Sequence, residues 1–195
     1  GAPYNADNLV WSVEHFWTNP DVTPNPKFWV IGAEKTPPYV SATKIDDYTV
    51  KLTYPSSYYD YPLAMARGCM TRFGEWMLPS HYLEQFHKDF NPDADQLAKD
   101  AGFEDWIAYI NNQVDERYNA ERPTARPWKA VSVQGDVPYI IERNPYYMAI
   151  DQFGNQLPYI DRIRFDTVEG AAMVSLKAIQ GEIDFQARHL SLSDF

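Results

Sequence analysis

Tyr139-Ile140-Ile141-Glu142-Arg143-Asn144-Pro145-Tyr146-Tyr147-Met148-Ala149-Ile150-Asp151-Gln152-Phe153-Gly154-Asn155-Gln156-Leu157-Pro158-Tyr159-Ile160-Asp161-Arg162-Ile163-Arg164-Phe165-Asp166 reads as strand, turn, strand. Residues 138–143 form the first strand, and Asn144-Pro145 turns the chain out of it. The polar stretch 151–158 is a turn carrying Gly154. A second strand over 160–166 sets Ile163 and Phe165 on one face, because side chains alternate along a strand. Glu142 and Arg143, with Asp161-Arg162, supply framework charges. A helix over 169–180 follows, with Ala172, Leu176 and Ile179 as its buried stripe. Gly181 falls at its C′ position, where a left-handed backbone is needed.

Working back toward the start, Asn119 to Lys129 holds two prolines and no periodicity, so it reads as a connection. Before it, Phe103, Trp106, Ile107, Ile110 and Val114 make an amphipathic helix, and Asp93 to Lys99 a short polar one. Pro79 to Phe86 and Tyr58 to Arg67 are short helices. Tyr48, Val50, Leu52 and Tyr54 alternate with polar residues, which predicts a half-buried strand. Residues 39–45 pair with it through a turn at Asp46-Asp47. Residues 20–38 contain five prolines and are expected to be an extended loop. At the start, Asn5 caps a helix whose apolar face is Leu9, Val13, Phe16 and Trp17. That helix stops at Thr18-Asn19-Pro20, since proline disfavours helix at the residue before it. The whole is an α+β chain with mixed sheets and flanking helices.

Composition narrows the function. Hydrophobic residues make up 45% and aromatics 15% of 195 residues, enough for a packed core. The formal net charge of −10 leaves no basic patch to neutralise phosphates, so nucleic acid is not an expected partner. Cys69 is the sole cysteine, which excludes an intrachain disulfide and a thiolate metal cluster. His15, His81, His87 and His189 show no paired-ligand spacing, so no metal and no cofactor is expected. There is no G-x-S-x-G elbow. Any two of 27 acidic residues would satisfy a search for a glycosidase pair, so such a pair has no weight. No catalytic constellation stands out among these residues.

The remaining feature is aromatic: 6 Trp, 14 Tyr and 10 Phe. Such rings give large rigid contact with a polar edge. Trp11, Trp17 and Trp106 lie on helical faces and read as core. Trp29, Tyr58, Tyr59, Trp76 and Trp128 lie in loops or at element starts and are candidates for a cleft wall.

Three stretches carry a family resemblance: "ERNPYY" at 142–147, "GNQLPYIDRI" at 154–163 and "GEIDF" at 181–185. Gly1-Ala2-Pro3-Tyr4-Asn5-Ala6-Asp7-Asn8-Leu9-Val10-Trp11-Ser12 agrees with them, with Asn5 where a threonine is usual and Asn8 where an acidic or polar residue is usual. Weaker matches lie at 44–50 and 78–83. The sequence resembles the family 5 extracellular solute-binding proteins, the peptide, nickel and oligosaccharide receptors of bacterial ABC importers. The resemblance implies part of a two-lobe, type II periplasmic-binding-protein-like fold. Residues 1–118 would belong to the small lobe, 119–129 to the crossover, and 130–195 to the large lobe. Such receptors are longer, so this chain is expected to be an internal fragment that self-associates through exposed edges. The implied partners are a small-molecule or peptide ligand and a membrane ABC permease. The implied location is periplasmic or extracellular, with lipoprotein anchoring of the parent open. An oligopeptide is the favoured ligand and an oligosaccharide the alternative, since oligosaccharide-binding members share the 151–163 segment. The chain after "GEID" approaches the cleft in such proteins, which adds Gln186, Arg188 and His189 to the candidate ligand contacts. Arg188 would clamp a carboxylate through its planar fork.

Overall fold

The computed structural model describes residues 2–33, 35–66 and 76–186. Helix α1 spans Ala6–Trp11. The Asn5 side chain accepts from the Asp7 N–H, and Asn8 Oδ1 accepts the Asn5 N–H in return. This reciprocal box satisfies donors that a helix start leaves open. Asn8 is buried as well, and its amide donates to Ser80 Oγ at 3.0 Å. The rod continues as a π-helical segment, Ser12–Trp17, where the Thr18 N–H reaches Val13 O at 3.1 Å. The change of pitch follows Ser12, whose hydroxyl donates to Asn8 O and accepts the Leu78 N–H. Serine back-bonding of this kind bends helices.

The proline-rich stretch departs from expectation. Instead of an extended loop throughout, it contains a short helix, α2, Phe28–Ile31. Tertiary packing decides this: Trp29 and Val30 are buried. Gly32 then turns the chain with φ 65°, and a Cβ there would sit 3.1 Å from the Tyr54 ring, so both conformation and space favour glycine.

Strands β1, Ser41–Asp46, and β2, Thr49–Thr53, form the expected antiparallel hairpin. Its turn is held by Asp46, which accepts the Tyr48 N–H at 2.8 Å. Short helices follow as read: α3 Tyr61–Ala66, α4 Ser80–Leu83 with a 3₁₀ turn Glu84–Phe86, α5 Ala94–Asp100, and α6 Trp106–Gln113. Asp105 caps α6 by accepting the Ala108 N–H. One cluster of buried apolar side chains joins these elements, with Phe16, Trp29, Leu78, Leu83 and Ile110 nearly inaccessible. Trp17 fits it by donating Nε1–H to Trp76 O at 2.9 Å.

The second half is a three-stranded antiparallel sheet, β3 Trp128–Ala130, β4 Tyr139–Arg143 and β5 Arg162–Phe165, in the order β3-β4-β5. Strand β3 is too short to leave a period in the sequence. The framework charges pair between β4 and the start of β5: Glu142 with Arg162 at 2.5 Å and Arg143 with Asp161 at 3.2 Å. Both pairs are open to solvent and stabilise little. Helix α7 spans Ala171–Ile179, and Gly181 follows with φ 72°. The stripe expected to be buried is not: Ala172 is exposed, Leu176 is 45% and Ile179 58% exposed, and only Ser175 of the helix is buried. Apolar periodicity shows which face wants cover, not whether this chain supplies it.

The loop between β4 and β5 owes its shape to three polar residues. Asp151 accepts the Phe153 and Asn155 N–H groups on one oxygen, and the Asn155 amide and the Tyr159 hydroxyl on the other. The Tyr159 hydroxyl, then Asn155, hold this carboxylate well below its ordinary pKa. Gln156 donates to the carbonyls of Pro145 and Tyr147. Asn144 is buried, and its amide donates to Thr124 O at 3.0 Å and Arg126 O at 2.9 Å. Asn144→Ala is expected to lower stability by about 1–3 kcal/mol, because those two carbonyls lose their donor. Chemical denaturation of the variant measures it, and a loss below about 0.5 kcal/mol would mean that water replaces the amide.

Candidate functional site

The segment 114–127 joins α6 to β3, and a groove forms where residues 122–127 pass. Tyr4, Leu9, Trp76, Met77 and Pro79 supply one wall, residues 122–127 the floor, and Tyr147 and Met148 the other wall. Its volume is about 360 Å³. Tyr4 is fixed by its hydroxyl, which donates to Met77 O at 2.5 Å. The floor is pinned by Asn144 from the β4 end. The groove is largely apolar and aromatic, as ligand sites generally are. Its charged lining consists of Arg122 and Arg126, and no acidic residue lines it among the described residues.

Behind the floor lies a second hollow of about 190 Å³, whose lining includes Trp17, Lys27, Leu78 and residues 114–117. Arg122 and Arg126 belong to both hollows. Both guanidinium groups pair with Glu116, just beyond α6: Arg122 Nη1 at 3.4 Å, and Arg126 through a short contact to the other oxygen. Arg122 is deeply placed, with 7% of its side chain exposed, and its Nε–H has no hydrogen-bond partner. Burial pulls its pKa down, against the opposing pull of Glu116. Burial raises the Tyr4 pKa, and the two arginines work against that rise.

The residues singled out from sequence fare differently. Trp76 lines the groove. Tyr58 lines a separate, open hollow beside Tyr54 and Tyr61, in a cluster of tilted rings. Tyr59 stands in solvent at 89% exposed. Trp29 is a correction: at 1% exposed it packs between Trp17 and Trp76 in the core, because the loop around it folds into α2. Trp128 is half-buried, with an indole N–H that lacks a partner. Gln186 is half-buried and lines neither hollow. Arg188 and His189 lie outside the described residues. Sequence reading missed Arg122, Arg126 and Glu116, since a connection without periodicity gives no sign of which charges it buries.

A second cluster is formed by His15, His87 and Asp89, whose ligand-type atoms lie within 4.8 Å of one another. His87 is fully buried. Its Nε2–H donates to His15 O at 3.1 Å, and its Nδ1 accepts the Asp89 N–H at 3.2 Å. Those two bonds agree on one neutral tautomer and occupy its lone pair. The histidine therefore serves the backbone, and the donor set does not fit a cation. Burial, its largest influence, lowers the His87 pKa from 6.5. The unfolded chain then binds the proton first, so stability should hold above pH 6.5 and fall as pH drops toward the lower folded value. Melting temperatures between pH 7.5 and 5 check this: His87→Gln should flatten the slope, and an unchanged slope would assign it elsewhere.

A family profile described as "Bacterial extracellular solute-binding proteins, family 5 Middle" matches residues 1–194. The chain is 29% identical over 170 residues to a periplasmic alpha-galactoside-binding protein of Rhizobium meliloti (strain 1021), covering 85% of this chain and 21% of that protein. A solved structure titled oligopeptide-binding protein OppA matches with a TM-score of 0.86 and 35% identity, covering 100% of this chain and 30% of that one. The periplasmic binding protein MelB of Agrobacterium fabrum C58, solved in complex with stachyose, matches with a TM-score of 0.66 and 25% identity, covering 95% and 25%. The chain thus spans between a fifth and a third of these relatives. No helix among the described residues is long and apolar enough to cross a membrane.

Proposed function

The chain belongs to the family 5 bacterial extracellular solute-binding proteins, and from that premise we propose that it forms part of an ABC-importer receptor that captures an oligosaccharide. The fold is the corresponding part of a periplasmic binding protein. The observation that carries the sugar reading is the stachyose-bound relative, which covers 95% of this chain. The curated relative named for alpha-galactosides points the same way. The groove chemistry supports it: Tyr4, Trp76 and Tyr147 offer aromatic surface with polar edges, which suits sugar faces. In this reading residues 1–118 and 130–195 contribute to two lobes, 119–129 crosses between them, and the lobes close on the solute by hinge motion. The closed receptor delivers its solute to a membrane permease on the outer side of the cell. Its role is capture without turnover.

A second reading, an oligopeptide ligand, is favoured by the 35% identity and TM-score of 0.86 to the structure titled OppA. Calorimetric titration of the protein with stachyose and with a tetrapeptide separates the two. The sugar reading expects saturable heat with stachyose and about a tenfold loss in Trp76→Ala, the cost of one stacking ring. Heat with the tetrapeptide alone would replace it with the peptide reading.

A further inference from the structure

We propose that the groove holds the terminal unit of a neutral sugar chain, with the Tyr4 oxygen accepting a hydrogen bond from one sugar hydroxyl; this rests on the sugar reading above and deepens it. Three observations converge on it. The first is where the Tyr4 proton goes. The phenol donates to the carbonyl of Met77 at 2.5 Å, and a carbonyl can only accept. That proton is committed, so the oxygen keeps its accepting capacity and has nothing left to donate. Tyr4 and Met77 both line the groove, and the bond between them is exposed rather than sealed in the core. Burial raises the Tyr4 pKa, against the pull of Arg122 and Arg126, so the phenol stays protonated at neutral pH.

An acceptor of this kind selects its ligand. A carboxylate offers acceptors alone and has no proton to give it. A sugar hydroxyl donates one bond and still accepts others at the same atom. The second observation is size. A volume of about 360 Å³ lies at the small end of the roughly 300–1,000 Å³ usual for ligand pockets. That room suits the end of an oligosaccharide rather than its length. The third is the wall. Trp76 and Tyr147 line the same groove and offer ring surface to the apolar face of a sugar. The Tyr4 ring is already held through Met77, so its oxygen needs little ordering when a ligand arrives.

The test is a thermodynamic cycle. NMR signals of the ring at position 4 are followed while the parent and Tyr4→Phe are titrated with methyl α-galactoside and with its singly deoxyfluorinated forms. Fluorine takes the place of a hydroxyl and cannot donate. A ligand this small should bind with Kd on the order of 1 mM. One fluoro form is expected to bind the parent about three- to tenfold more weakly than the hydroxyl sugar, the worth of one hydrogen bond. Tyr4→Phe should bind those two sugars alike. The cycle isolates the contact, because a groove loosened by the lost Met77 bond weakens every sugar equally. The same fluoro penalty in both proteins would overturn the proposal. So would a parent that discriminates against none of the fluoro forms, a result that needs no folded variant. Stachyose heat in calorimetry together with a failed cycle removes the Tyr4 assignment alone. No saturation by stachyose or by any of these sugars would overturn the sugar reading and this proposal with it, so the two failures are distinguishable.

Discussion

Glu116→Gln is expected to destabilise the protein by about 2–3 kcal/mol, between the cost of breaking a surface pair and that of breaking a fully buried one. Glu116 is the carboxylate on which both Arg122 and Arg126 rest. Their side chains are 7% and 21% exposed, and that of Glu116 is 23% exposed, so water cannot fully screen the charges left behind. Glutamine keeps the shape and removes the charge, which confines the effect to electrostatics. Urea unfolding of the two proteins measures it. A loss below about 1 kcal/mol would place the cluster among solvent-screened surface pairs.

Trp29→Ala should have a comparable effect through another mechanism. Trp29 is 1% exposed, packs against Trp17 and Trp76, and offers its carbonyl to the Tyr54 hydroxyl at 2.6 Å. Truncating a fully buried aromatic typically costs about 3–5 kcal/mol, from lost transfer energy and the cavity left behind. Because Trp76 is one of its neighbours, the groove wall should loosen too. A ligand-wall tryptophan would behave differently, with affinity lost and stability nearly kept. Denaturation and titration of this one variant distinguish the roles.

Sequence reading captured the elements whose periods are long enough to register. The capping asparagine, the hairpin at 41–53, helices α4 to α6 and the strand–turn–strand of 139–166 all follow from local pattern. The "ERNPYY" segment was read as framework, and Asn144 supplies the physical content: a buried amide tying the connection to the sheet. Three things were not legible. Helix α2 is one turn long in a proline-rich stretch, where tertiary burial of Trp29 outweighs local propensity. The stripe of α7 has the right period and is left exposed among the described residues. The groove is assembled from residues as far apart as Tyr4 and Met148, and its arginines lie in a segment with no repeating pattern. Of the seven candidate ligand contacts, Arg188 and His189 lie outside the described residues, and Trp76 lines the groove. It does so as a loop aromatic rather than through any spacing rule.

The account is tested most directly by native mass spectrometry of the protein purified from its own host with its solute still bound. Bound masses in hexose-sized increments are the predicted result. A distribution of peptide masses would contradict the sugar reading and hand the groove to a peptide.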